Sequence, residues 1–123
     1  MRVLISAYVR FPNALAWHAL EVCRGLHAAG HQVYLLCQRN SPLARWSEGE
    51  PFPVNRDLNL NRFDPLDMTR GIAVLRRTFR EFRPDILNPH CPPGHIYFAL
   101  VRALEKSDAP LVRTVAEPRP PKR

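Results

Sequence analysis

This chain of 123 residues has only two lysines, Lys106 and Lys122, although its formal charge is +7. The basic balance therefore comes almost wholly from arginine, whose planar fork suits phosphate and carboxylate groups. GC-rich coding has the same signature, so the excess alone names no ligand. No apolar run approaches the roughly 20 residues of a membrane-spanning helix, and no signal-cleavage pattern follows the apolar start. The expectation is a cytoplasmic protein. Its three cysteines, Cys23, Cys37 and Cys91, are odd in number, far apart and outside any CxxC pair. That spacing excludes a disulfide framework and predicts reduced, mostly buried thiols. A Walker loop, a GxGxxG turn, paired carboxylates and a Ser/His/Asp set are all missing, and no general base stands out. Low-complexity tracts and repeats are absent too.

What is present is a globular composition, 46% hydrophobic and 24% charged, with room for one domain and a real core. RVLISAYV is an apolar, β-branched run. RFPNALAW is a loop feeding a helix from about Ala14 to Ala29, in which Leu15, Ala19, Val22 and Leu26 recur at helical steps. Gly30 supplies a left-handed stop, and HQVYLLCQ is a second buried-type strand. Arg39 to Asn55 is turn-rich, with one helical turn over Leu43–Trp46, and a short strand falls within Val54–Leu60.

Asp64-Pro65-Leu66-Asp67 is a helix start, with Asp64 as N-cap and Pro65 at the first helical position. Met68, Ile72, Leu75, Phe79 and Phe82 then form an apolar stripe, while Arg70, Arg76, Arg77, Arg80 and Arg83 fill the other faces. Pro84 ends that helix. Asp85–Asn88 reads as a short buried strand, PHCPPG as a loop, Ile96–Lys106 as a helix and Pro110–Val115 as a fifth strand.

Alternating strands and helices predict an α/β fold, a Rossmann-like parallel sheet of about five strands flanked by helices. The domain is expected over residues 1–115, followed by a basic, proline-rich tail over 116–123. In such sheets ligands sit beyond the carboxyl ends of the strands, where strand order reverses. With strand 1 central, the loops 9–16, 89–95 and 116–119 converge there.

Three blocks carry a family resemblance: LEVCRGLHAAGHQVYLLCQRNSPLARW, FRPDILNPHCPPGHIYFALVRAL and APLVRTVAEPRPPKR. In order and spacing they resemble the amino-terminal domain of family 4 glycosyltransferases of the GT-B type. The resemblance implies an incomplete GT-B amino-terminal half that binds the acceptor of a retaining, nucleotide-sugar-dependent transferase. The nucleotide-sugar donor belongs to a second Rossmann-like half, and no metal or resident cofactor is implied. The implied partners are a sugar or lipid-linked acceptor, a separate donor domain or a homodimer, and a peripheral contact at the inner membrane face.

Three departures bear on activity. Pro12-Asn13-Ala14-Leu15 stands where the family usually has a Gly-Gly pair, so close backbone approach to a ligand is impeded. Ala116 stands where a sugar-contacting histidine is often found, and the sequence given ends at Arg123. The chain is therefore expected to be inactive alone.

The candidate acceptor- or sugar-binding residues are Arg10, Asn13, His18, His90, His95 and Arg119, with no catalytic residue assigned. Arg10 offers a guanidinium to a phosphate, and Asn13 is better read as a helix cap. His18 lies beside the first loop. His90 and His95 flank the loop before the next helix, where amides near Gly94 offer an anion site. A zinc reading of His90, Cys91 and His95 lacks a fourth ligand at normal spacing. Arg119 lies where the family's loop approaches the donor cleft. Trp17 is read as packing under a neighbouring loop, and His27 and His31 as structural. Two other functions stay open: a non-catalytic binding module, and a basic surface for membranes or nucleic acid. The arginine-rich helix lacks the interleaved aromatics that nucleic-acid binding favours, so nucleic acid is the least favoured partner.

Overall fold

The computed structural model describes residues 1–59 and 64–112. Its elements run β1 (Arg2–Ala7), α1 (Ala14–Ala28), β2 (Gln32–Cys37), α2 (Pro42–Trp46), β3 (Val54–Asn55), α3 (Pro65–Phe82), β4 (Ile86–Pro89) and α4 (Pro92–Leu104). The sheet is parallel, in the order β3-β2-β1-β4. β1 is therefore central, with Ile5 paired to Leu35 on one side and to Asn88 on the other.

Burial explains the strand sequences. Leu4, Ile5, Leu35, Leu36 and Leu87 are fully buried, as a sheet covered on both faces requires. α1 sends Ala16, Ala19, Leu20 and Cys23 into this core. Phe79 of α3 packs edge-on against Phe98 of α4, with ring centroids 6.1 Å apart. Glu105 ties the same two helices together, accepting from Arg76 Nε at 2.6 Å and from Arg80 Nε at 2.9 Å.

The helix ends follow local chemistry. Asn13 Oδ1 accepts from Ala16 N at 3.0 Å and caps α1. Gly30, at φ 94°, ends it, and His31 N reaches back to Leu26 O at 3.0 Å. Asp64 occupies the cap position of α3, yet its side chain makes no cap hydrogen bond. Arg56 donates to the carbonyls of Ala44 and Ser47, closing the end of α2.

Among the described residues the sheet has four strands, against about five expected: the expected fifth, over 110–115, is seen as a single parallel bridge from Leu111 to Leu87, and residues 113–123 lie outside the described part. α4 starts at Pro92 rather than Ile96, so His95 is helical rather than in a loop. Proline is tolerated in a first helical turn, where its missing N–H has no intrahelical partner to lose. The expected boundary at 115/116 also falls outside the described residues.

Candidate functional site

Strand order reverses between β2 and β4 around central β1, so the ligand crevice of such a sheet opens where β1 and β4 end. Backbone and side chains stitch the two loops together there. His90 N donates to Ser6 O at 2.8 Å, extending the β1–β4 ladder past Pro89. Tyr8 N lies 3.1 Å from Cys91 Sγ. A Cβ on Gly94 would collide with the Ser6 hydroxyl, so the absence of a side chain lets the first turn of α4 sit directly on β1.

Two histidines meet at this seam. The imidazoles of His18, on α1, and His90, after β4, stand 5.7 Å apart at 53°. His18 is exposed, whereas His90 is 2% exposed. Both ring nitrogens of His90 are buried and make no hydrogen bond of ordinary geometry with a described residue, although the backbone of Asn88 and Ser6 lies near enough to favour the protonated ring. Burial, opposed by the nearby Asn88 and Ser6 backbone and aided by the neighbouring His18, pushes the His90 pKa down from 6.5 to about 4. His90 is thus a neutral imidazole at physiological pH, with one donor and one acceptor nitrogen, both buried. So low a pKa makes it a poor proton acceptor and better suited to orienting.

The other candidates fall in different places. His95 belongs to the first turn of α4, and its Nδ1 is buried without a partner among the described residues. Pro92 and Pro93 supply no N–H, so this helix start has few free amides for an anion. Asn13 has its carbonyl oxygen engaged as the α1 cap. Arg10 is exposed and makes no ion pair with a described residue. Arg119, like Ala116, lies outside the described residues. Trp17 is 50% exposed and meets Trp46 of α2 edge-on at 5.5 Å, with the Arg24 guanidinium over its ring, rather than being covered by a loop. His27 lies tilted against Phe52, with ring centroids 5.9 Å apart, and His31 Nδ1 is 3.2 Å from the terminal amine.

Ser6 was not among the sequence candidates. It is the one uncharged polar residue of β1, fully buried, and its hydroxyl has no partner among the described residues. A polar residue at the carboxyl end of a central strand was the available signal. No cluster of three metal-ligating side chains occurs among the described residues, and no described helix is long and apolar enough to cross a membrane. An apolar cavity of about 490 Å³, lined by His27, Val33, Phe52 and Phe82, lies at the opposite end of the sheet.

A parallel sheet with a central first strand and helices packed against it defines a Rossmann-like α/β domain. The chain belongs to Glycosyltransferase Family 4, whose model matches residues 15–116. The fold is shared with solved structures at low identity. Acinetobacter baumannii MurG superposes with a TM-score of 0.69 at 16% identity, covering 93% of this chain and 34% of that one. A glycosyltransferase from Rickettsia africae gives 0.71 at 14%, covering 91% and 28%. The lipopolysaccharide outer core galactosyltransferase WaaB gives 0.69 at 11%, covering 94% and 33%. The chain thus spans about a third of the length of each. No curated protein sequence matches it.

Proposed function

We propose that this chain is the acceptor-side domain of a nucleotide-sugar-dependent glycosyltransferase, and that it holds an acceptor hydroxyl between His18 and His90. The observation that carries this reading is His90: a buried, neutral imidazole at the strand-order reversal, beside His18, whose ring nitrogens make no hydrogen bond of ordinary geometry with a described residue. A buried polar group costs free energy unless something completes its hydrogen bonds, and a bound sugar does that. Family membership supports retention at the anomeric carbon and a sugar or lipid-linked acceptor. Transfer needs a donor held against the acceptor, so a donor-binding domain, on this chain's continuation or on a separate one, completes the activity. In this reading the domain works at the inner face of the membrane, and the 1–115 unit is the functional piece with 116–123 as an appended tail.

The test is an amide-shift titration with N-acetylglucosamine, a polyprenyl-phosphate-linked sugar in micelles, and UDP-glucose. The expected result is that an acceptor perturbs residues 6–18 and 90–95, that UDP-glucose is not turned over, and that His90→Leu removes the effect. Acceptor shifts elsewhere, unchanged by His90→Leu, would overturn the assignment. One observation favours a second reading, a non-catalytic binding module. The first loop offers Asn13 already used as a cap and no glycine, so the usual backbone cradle is missing. Adding a donor domain in trans separates the two: transfer supports the first reading, and binding without transfer supports the second.

A further inference from the structure

The five arginines of α3 and its cap do not share one role. Arg76 and Arg80 both turn to Glu105. Arg70 and Arg77 lie two turns apart with Val74 between them, and this face walls a groove of about 430 Å³ beyond the carboxyl ends of β2 and β3. Its opposite wall is the chain leaving β2 and β3, where Arg39 N donates to Leu58 O at 2.9 Å and fixes the Arg39 backbone. Arg39, Arg70 and Arg77 make no ion pair or hydrogen bond through their side chains with any described residue. Asp57 is the one carboxylate on the lining.

We infer that this groove is a phosphate-binding site for a phosphomonoester or diphosphate group, held by Arg39, Arg70 and Arg77. Three guanidiniums against one carboxylate leave a local positive excess that attracts an external anion. A carboxylate is satisfied by a single planar fork, whereas a tetrahedral phosphate presents three oxygens to several forks at once. The groove's volume falls within the usual range for small-ligand sites. Apart from its charged residues, Asn55, Leu58 and Val74 line it, so it has no aromatic platform for stacking bases. It shares no residue with the His18–His90 crevice, and the inference stands whether or not that crevice holds a sugar.

The phosphate has two sources, a soluble phosphorylated molecule or a lipid headgroup. The probe is inorganic pyrophosphate, titrated by calorimetry and by amide shifts at moderate salt. Binding is expected to perturb residues 39, 55–58 and 70–77, to weaken at least about tenfold in Arg70→Gln/Arg77→Gln, since two of three charge-assisted contacts are lost, and to persist in Arg80→Gln. All these positions are exposed, so circular dichroism should show each variant folded. A parallel arm uses phosphatidylcholine vesicles with and without phosphatidic acid. Cosedimentation that needs phosphatidic acid, fails in the double variant and is competed by pyrophosphate supports the site with a lipid as source. Pyrophosphate binding without cosedimentation supports it with a soluble source. Equal pyrophosphate affinity in wild type and Arg70→Gln/Arg77→Gln, or no binding at millimolar pyrophosphate, overturns the site. Stronger binding of single-stranded DNA through the same arginines would also overturn it, as a nucleic-acid surface.

Discussion

The hydroxyl of Ser6 occupies the space that a Cβ on Gly94 would need, so the central strand and the start of α4 touch without an intervening side chain. Gly94→Ala gains helix propensity of up to about 1 kcal/mol but forces apart two packed elements, at a typical cost of about 1–3 kcal/mol. A net destabilisation on the order of 1 kcal/mol is expected in urea unfolding. Ser6→Ala removes the closest atom and should recover part of that loss, because the contact at 3.2 Å to the Ser6 Cβ remains. A double-mutant cycle measures this coupling directly. Additive effects of the two substitutions would contradict the contact.

His90 makes stability depend on pH in a defined window. Its pKa falls from 6.5 to about 4 on folding, so between those values the unfolded chain binds more protons than the folded one. Stability therefore rises with pH through this range and is fully present above it. The complete difference amounts to at most about 3 kcal/mol. His90→Leu, which removes the titrating group, should flatten that part of the profile. Urea midpoints at pH 5 and pH 7 provide the comparison, and an unchanged slope in the variant would remove His90 as the cause.

Asn13 and Asp64 hold the same cap position on their helices but only Asn13 makes the capping bond. Asn13→Ala should cost about 1 kcal/mol. Asp64→Ala loses only the interaction of its charge with the helix dipole, about 0.3–1 kcal/mol at an exposed end. Thermal melts should rank Asn13→Ala as the more damaging, by a few degrees. The reverse order would mean that Asp64 caps in solution.

The strands and the longest helices were legible because each has a local cause. Gly30 stops α1, Asn13 caps it, and the apolar stripe from Met68 to Phe82 matches α3. The start of α4 was misread because proline pairs punctuate loops as well as open helices, and only the seating of Gly94 on Ser6 decides between them. The sequence placed His90 and His95 on one loop before the next helix. The fold instead brings His90 to His18, a contact that depends on strand order and leaves no trace in spacing. The arginines of α3 likewise looked equivalent. Their division into a pair bound to Glu105 and a pair lining a groove depends on where residues 39 and 105 come to lie.

The cysteines give a prediction about chemistry that the fold suppresses. Cys23 and Cys37 are fully buried, and burial pushes both thiols up from 9.0 to about 12. The thiolate is the reactive form, so at pH 8 both should resist an aromatic disulfide reagent while the protein is folded. Cys91 is 6% exposed beside the crevice. It should be the first of the three to react, with the other two following only on unfolding in denaturant. Because Cys91 Sγ sits 3.1 Å from Tyr8 N at the seam between the first loop and α4, a ligand that closes the His18–His90 crevice should slow its modification. Cys23 and Cys37, with no exposed surface, report opening of the packed core and should respond to the ligand only through global stability. Rapid labelling of Cys23 or Cys37 in the absence of denaturant would show that α1 does not hold its packed position on the sheet.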